Sequence, residues 1–350
     1  MIDLRSDTVT RPVPEMRQAI ADAEVGDAVI DVDPTTERLE RQTAEILGKE
    51  AALFMPSGSM TNQIAIRVHC DRGSEFICEA SCHIYNYEQA AFAQLSGLVA
   101  QTVSGTDGVL QVDQIRHLIR PENDHLVRTR LVCLENTHNR AGGRIQPQAT
   151  VEAICDWAHE HGLRTHLDGA RLWNAAAALG VPEDRLVKSF DSVSVCFSKG
   201  LGAPVGSALA GSREFVAEAR RARKLFGGAM RQSGVIAAGA LFALDHHRQR
   251  LVEDHAHAKM IGEVVQQCES LRLIGGAVDT NIVAIAIDDL WGTASQFVQR
   301  LAENGLSCFA IGPQSIRLVT HLDVSRADIE LACEILRRVA ATTPQHISTH

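Results

Sequence analysis

The chain has 350 residues, a formal charge of −9 and 45% hydrophobic residues. That length gives a prior of roughly two domains, and the apolar content excludes a disordered chain. The acidic balance gives no footing for nucleic-acid binding, and no stretch reaches the roughly 18 apolar residues of a membrane span.

The opening M-I-D-L-R-S-D-T lacks a basic-then-apolar signal pattern. Nine cysteines lie scattered, several inside apolar runs, without a disulfide framework. A reducing, cytoplasmic setting is the expectation. The first element that can be placed is A-A-L-F-M, followed by the turn Pro56 to Ser59 and a helix expected from about Thr61. Helix-start N–H groups, two hydroxyls and a glycine suit a phosphate, and equally suit an ordinary turn and cap. His83 follows in E-A-S-C-H-I-Y, as a ring stacked on a cofactor or as a partly buried histidine. Cys78, Cys82 and His83 form a C-x3-C-H cluster with no second cluster of matching spacing, so no metal site is expected.

Strand-like and helix-like segments then alternate, as in βαβ units and a largely parallel sheet. Arg130 to Glu135 reads as a strand, and Val151, Ile154, Cys155 and Ala158 as a helix capped by Thr150 and stopped at Gly162. Leu163 to Leu167 is a strand halting at Asp168, Ser192 to Phe197 another halting before Lys199, and Ser207 to Ala210 a third. Ligands bind in the crevice at the carboxyl ends of such strands. An acid and a primary amine in one crevice are what pyridoxal phosphate (PLP) requires, a carboxylate for its pyridine nitrogen and a Schiff-base lysine. Taken singly, a strand-end lysine is usually a solvated loop residue and a strand-end aspartate a helix cap. Arg171, three residues beyond Asp168, can hold a substrate carboxylate or pair with a nearby acid. The run R-R-A-R-K (Arg220 to Lys224) is a helix face or a phosphate-facing end.

Beyond about residue 245 the pattern changes. A long polar helix, roughly Ala237 to Leu271 with room for a break, carries His246, His247, His255 and His257 on an expected solvated face. Strand-like I-V-A-I-A-I, a helix near Ala294 to Asn304, S-I-R-L-V-T and a last helix complete the chain. The expected organisation is an N-terminal segment and large cofactor-binding domain over 1–245, a small α/β domain over 246–342 and a tail over 343–350. No G-x-G-x-x-G follows a strand and there is no P-loop, which counts against dinucleotide or ATP chemistry.

Seven blocks in order carry a family resemblance. They are M-I-D-L-R-S-D-T-V-T-R-P, G-K-E-A-A-L-F-M-P-S-G-S-M-T-N, L-E-N-T-H-N-R-A-G-G-R, H-L-D-G-A-R-L-W-N-A, S-K-G-L-G-A-P-V-G-S, G-G-A-M-R-Q-S-G and I-R-L-V-T-H-L-D. Together, from Ile2 to about Val339, the chain resembles the L-threonine aldolases of low-specificity type. These are PLP enzymes of the aspartate-aminotransferase-like fold type I, in the β-eliminating lyase superfamily. The resemblance implies an α/β large domain with a mostly parallel sheet and a smaller C-terminal domain. It implies Lys199 as the Schiff-base lysine, Asp168 on the pyridine nitrogen and His83 on the ring face, with Gly58 and Ser59 at the phosphate. Ser59 stands where the family often has threonine. Ser6, Arg171 and Arg317 would clamp the substrate carboxylate. Arg231, Lys224 and His125 would act across a subunit boundary in a homotetramer or dimer.

The implied reaction is retro-aldol cleavage of threonine, allo-threonine or phenylserine to glycine and an aldehyde, with His83 or His125 as the base. β-Elimination or transamination is the alternative chemistry, and a PLP-binding module without turnover the alternative class. One block departs from the family. V-I-D-V-D-P-T (Val29 to Thr35) stands where V-Y-G-D-D-P-T is usual, so Ile30 replaces a tyrosine expected to border the substrate.

Overall fold

The computed structural model describes residues 1–342, and the expected tail over 343–350 lies outside the described residues. Seven strands form the main sheet: β2 (Ala51–Met55), β3 (Ser74–Glu79), β4 (Val99–Val103), β5 (Arg128–Glu135), β6 (Arg164–Gly169), β7 (Ser192–Cys196) and β8 (Ser207–Gly211). Their order is β2-β8-β7-β6-β5-β3-β4, and only β8 runs against the others. Strands β7 and β8 are buried along their whole length, as expected of a sheet covered on both faces. The one reversed strand leaves the carboxyl ends of β2, β7, β6, β5 and β3 on a single edge, where chemistry can gather.

The helices around this sheet follow local rules. Gly58–His69 starts three residues earlier than the sequence suggests, because the Ser57 hydroxyl accepts from the Met60 N–H at 3.2 Å and caps it. Gln148–Glu160 likewise starts ahead of Thr150. Pro147, with φ −60°, sits at the cap and makes no side-chain cap bond. The long polar helix is two helices, Gly234–His246 and Leu251–Gln267.

A second core gathers residues 258–340 together with Ile2 and Leu4. It includes a four-stranded antiparallel sheet, ordered β12-β13-β10-β9, of β9 (Leu271–Leu273), β10 (Ile282–Ile287), β12 (Phe309–Gly312) and β13 (Ser315–Val319). The first strand of the chain, β1 (Ile2–Asp3), pairs in parallel with β11 (Leu306–Ser307). This carries Ser6 and Asp7 to where the two cores meet. Among the described residues no helix is long and apolar enough to cross a membrane.

The four-histidine stretch departs from the expected solvated face. His247 and His255 are buried. His247 Nδ1 lies 2.7 Å from the Leu201 carbonyl, behind the loop that carries Lys199, and His255 Nε2 lies 3.2 Å from Asn174 Nδ2. The Leu251–Gln267 helix packs against Leu172–Leu179 on that side, which turns His255 inward.

Candidate active site

Strands β6 and β7 pair in parallel, with Asp168 opposite Ser194. The end of β6 therefore sets down Asp168 beside the turn in which β7 delivers Lys199. Asp168 is buried, and each of its oxygens has a donor: Asn62 Nδ2 at 2.9 Å from Oδ2, and the Ala170 N–H at 3.1 Å from Oδ1. Lys199 is half-buried, and its charge reaches both Asp7 and His83.

His83 opens a short helix, His83–Asn86, just beyond the end of β3. Its backbone N–H donates to Glu135 Oε2 at 2.7 Å, tying it to the end of β5. Its Nδ1 lies 2.9 Å from Glu88 Oε1. Burial disfavours the imidazolium, but the Glu88 hydrogen bond and the charges of Asp168 and Glu88 outweigh it and raise the His83 pKa. Glu88 is itself buried, and also accepts from Asn62 Nδ2 at 2.9 Å and from the Gln63 amide. Ligand atoms of His83, Glu88 and Asp168 lie within 4.8 Å of one another, but Asn62 and Gln63 already satisfy the carboxylates.

At the β2 end, Gly58 and Ser59 are the first two residues of a twelve-residue helix. The Ser57 side chain and carbonyl take the N–H groups of Met60 and Thr61, which leaves those of Gly58 and Ser59 for an anion. A Cβ at Gly58 would stand 2.7 Å from Cys196 Sγ, so the helix start is seated directly on the end of β7.

On the other side of Lys199 lies a cationic wall. Arg171 is buried and forks onto Asp7, Nε to Oδ2 and Nη2 to Oδ1, both at 2.8 Å. Asp7 is fully buried; burial works against its charge, but Arg171, Lys199 and Asn281 hold its pKa down to about 2. The sequence left open a substrate clamp or an acid partner for Arg171. The structure supplies the acid partner and leaves Nη1 out of that fork. Arg317 Nη1 donates to Asn139 Oδ1 at 2.8 Å, while its buried Nε has no partner among the described residues. Burial, and then the nearby Arg171 charge, lower the Arg317 pKa. An anion placed between these arginines would relieve Arg317 and give its Nε an acceptor. Ser6 caps the turn that holds Asp7, its hydroxyl accepting from Thr8.

Four expected residues do not join this group within one chain. His125 is exposed in the loop leading into β5, at the opposite edge of the sheet from Asp168. Lys224 is exposed, and Arg231 is 66% exposed and paired with Asp27 Oδ2 at 2.8 Å. Ile30 is 82% exposed in the loop that this pair holds, and walls nothing in a single chain. Asp7, Asn62, Glu88 and Asn281 were missed in the sequence. Asp7 and Asn62 had a signal, lying inside the M-I-D-L-R-S-D-T and G-K-E-A-A-L-F-M-P-S-G-S-M-T-N blocks; Glu88 and Asn281 had none.

A family model described as beta-eliminating lyase matches residues 3–289. The chain belongs to that family. It is 44% identical over 346 residues to low-specificity L-threonine aldolase 1 of Arabidopsis thaliana, with 97% of each chain covered. It is 40% identical over 333 residues to the low specificity L-threonine aldolase of Escherichia coli K12, covering 94% of this chain and 96% of that one. A solved structure of Leishmania major threonine aldolase superposes with a TM-score of 0.84 at 21% identity, over 97% of this chain and all of that one. The fold is thus the fold type I arrangement expected from the sequence.

Proposed function

We propose that this lyase is a PLP-dependent aldolase that cleaves L-threonine, L-allo-threonine or related β-hydroxy-α-amino acids to glycine and an aldehyde. The observation that carries the reading is the meeting of Asp168, Lys199 and the Gly58 helix start on one sheet edge, facing the Arg171–Arg317 wall. This donor set fits PLP: a carboxylate for the pyridine nitrogen, an amine for the aldehyde, and two free N–H groups with the Ser59 hydroxyl for the phosphate. Bound there, PLP would supply an electron sink for the pair released when the substrate Cα–Cβ bond breaks.

The chain's own groups do the rest. Arg171 Nη1, Arg317 Nε and the Ser6 hydroxyl bind the substrate carboxylate and so fix the orientation of the Cα–Cβ bond. Glu88 accepts from His83 Nδ1, which fixes the ring tautomer and leaves Nε2 to take the β-hydroxyl proton. General-base help of this kind is worth about 10²–10⁴-fold. Asp168 stays an acceptor toward the pyridine nitrogen because Asn62 and the Ala170 N–H occupy its other lone pairs.

Arg231, Lys224 and His125 belong to the same reading as groups lent by a partner copy in a dimer or tetramer, supported by their exposure in the single chain. A cytoplasmic setting is supported by nine cysteines present as free thiols.

Two measurements test the proposal. Lys199→Ala should lose the borohydride-reducible PLP absorbance, and its persistence would sink the lysine's role. A product screen on both diastereomers of several β-hydroxy amino acids should yield glycine plus aldehyde. Ammonia plus an oxo acid would instead establish β-elimination, the reaction in the family's name.

A further inference from the structure

A row of buried polar groups leads from Asp168 across the large sheet, and the reaction as read above uses none of it beyond Asn62. The direction of every hydrogen bond in it can be assigned from the carboxylates outward. Asn62 Nδ2 lies 2.9 Å from both Asp168 Oδ2 and Glu88 Oε1. Ionised carboxylates only accept, so the amide must turn its N–H₂ to them and its Oδ1 to His166 Nε2, at 3.2 Å. An amide oxygen cannot donate, so His166 carries its proton on Nε2.

His166 is fully buried; burial, against the pull of Asp168, lowers its pKa to about 4 and keeps the ring neutral. Its Nδ1 is then an acceptor and takes the Ser192 hydroxyl proton at 2.8 Å. With that proton committed, Ser192 Oγ accepts from His69 Nε2 at 2.7 Å. His69 is also held neutral, its pKa lowered to about 3 chiefly by burial, and it stacks on Phe215 at 4.6 Å. It lines a surface cavity with Lys49, Arg164 and Asp191. The row therefore runs head to tail from His69 through Ser192, His166 and Asn62 to Asp168, every donor aimed at the carboxylate.

We infer that His166 is a positioning residue for Asp168, acting through Asn62. It donates to the oxygen of the Asn62 amide, whose N–H₂ already faces the carboxylate, and so holds that amide in place and Asp168 in one orientation toward the pyridine nitrogen. This rests on the reading of Asp168 as the partner of that nitrogen. Without the His166 donor, the Asn62 oxygen is left buried and unpaired, and the amide that donates to Asp168 loses the contact that fixes its position, loosening the acid that holds the electron sink. The carboxylate clamp is elsewhere, so turnover suffers and substrate binding does not.

The test uses holoenzyme with isotope-labelled histidine and, separately, with PLP labelled at the pyridine nitrogen. Nuclear magnetic resonance of the unaltered enzyme should show both His69 and His166 neutral with the proton on Nε2 from about pH 6 to 9. Either ring charged or protonated on Nδ1 overturns the row. His166→Leu should lower kcat on the order of 10–100-fold, the scale of the Asn62–Asp168 hydrogen bond that His166 supports, with KM within about twofold. Its pyridine nitrogen signal should move toward the unprotonated form. His166→Gln, which keeps a donor toward Asn62, should return to within about threefold of wild-type kcat. Unchanged kcat and nitrogen signal in His166→Leu overturn the role, and if that variant does not fold, the histidine tautomers of the unaltered enzyme still decide. An unprotonated pyridine nitrogen in the unaltered holoenzyme would refute the Asp168 reading itself and this role with it, whichever tautomers are found.

Discussion

Replacing Asp7 by asparagine isolates the buried pair at the centre of the site. The Asp7 and Arg171 side chains are 0% and 6% exposed and share two hydrogen bonds of 2.8 Å. Removing one member of such a pair leaves an uncompensated buried charge, at a cost of about 3–5 kcal/mol. Asparagine keeps the shape and one acceptor, so the lower end, about 3 kcal/mol, is expected near neutral pH. The acid limb gives a second, independent number. The folded-state pKa of Asp7 is lowered from 3.8 to about 2. A depressed carboxylate contributes stability that is full above the unfolded pKa and is lost as pH falls toward the folded one. For this shift the loss by pH 3 is about 1 kcal/mol. Wild type and Asp7→Asn should therefore differ by about 3 kcal/mol near pH 7 and by about 2 near pH 3. Urea denaturation of both proteins, at one fixed PLP concentration, measures this. The difference between the two proteins removes other acids that titrate in the same window, such as Glu79, also held at about 2. A variant within about 0.5 kcal/mol of wild type, or a gap that stays constant with pH, would refute the reasoning.

Three further outcomes are expected. Glu88→Gln removes the charge that raises the His83 pKa and leaves only a neutral acceptor, so the acid limb of kcat should move to lower pH and kcat fall about tenfold; an unmoved limb would free His83 from that partner. Arg317→Ala should raise the threonine KM about 10–100-fold with a smaller change in kcat, and an unaltered KM would take Arg317 out of the clamp. Ala90 is exposed and left-handed at φ 50°, next to Gln89 at φ 55°. Ala90→Gly should stabilise the protein by about 1 kcal/mol in the same denaturation assay, and no gain would mean the neighbouring chain accommodates this conformation without strain.

Asp168 and Lys199 could be read from the sequence because their signal is local: an apolar run stops at a charge with glycine close by. The parallel sheet was readable for the same reason, since alternation is a property of neighbouring residues. Glu88 and Asn62 were not readable in their contacts, although Asn62 ends one of the seven blocks. Each is an ordinary polar residue in its own segment and gains meaning only when the Gly58–His69 helix is laid across the ends of β3 and β6. His247 and His255 misled for a related reason. Their flanking residues are polar, and burial came from the Lys199 loop and the Leu172–Leu179 helix, far away in sequence. Helix starts slipped by two or three residues where Ser57 or Pro147 took the cap.

The pairing of β1 with β11 also fixes when the site can exist during synthesis. Asp7 is synthesised well ahead of its partners, since Arg171 follows it by 164 positions and Asn281 by 274. The strand that anchors Asp7 waits for Leu306. A nascent chain that has not yet reached Leu306 holds Asp168, Lys199 and the Gly58 helix start, but lacks the strand that anchors the Asp7 segment beside Arg171. The two halves of the pocket are thus born in sequence, the cofactor side first and the substrate-carboxylate side, which needs β11 and Arg317, after it.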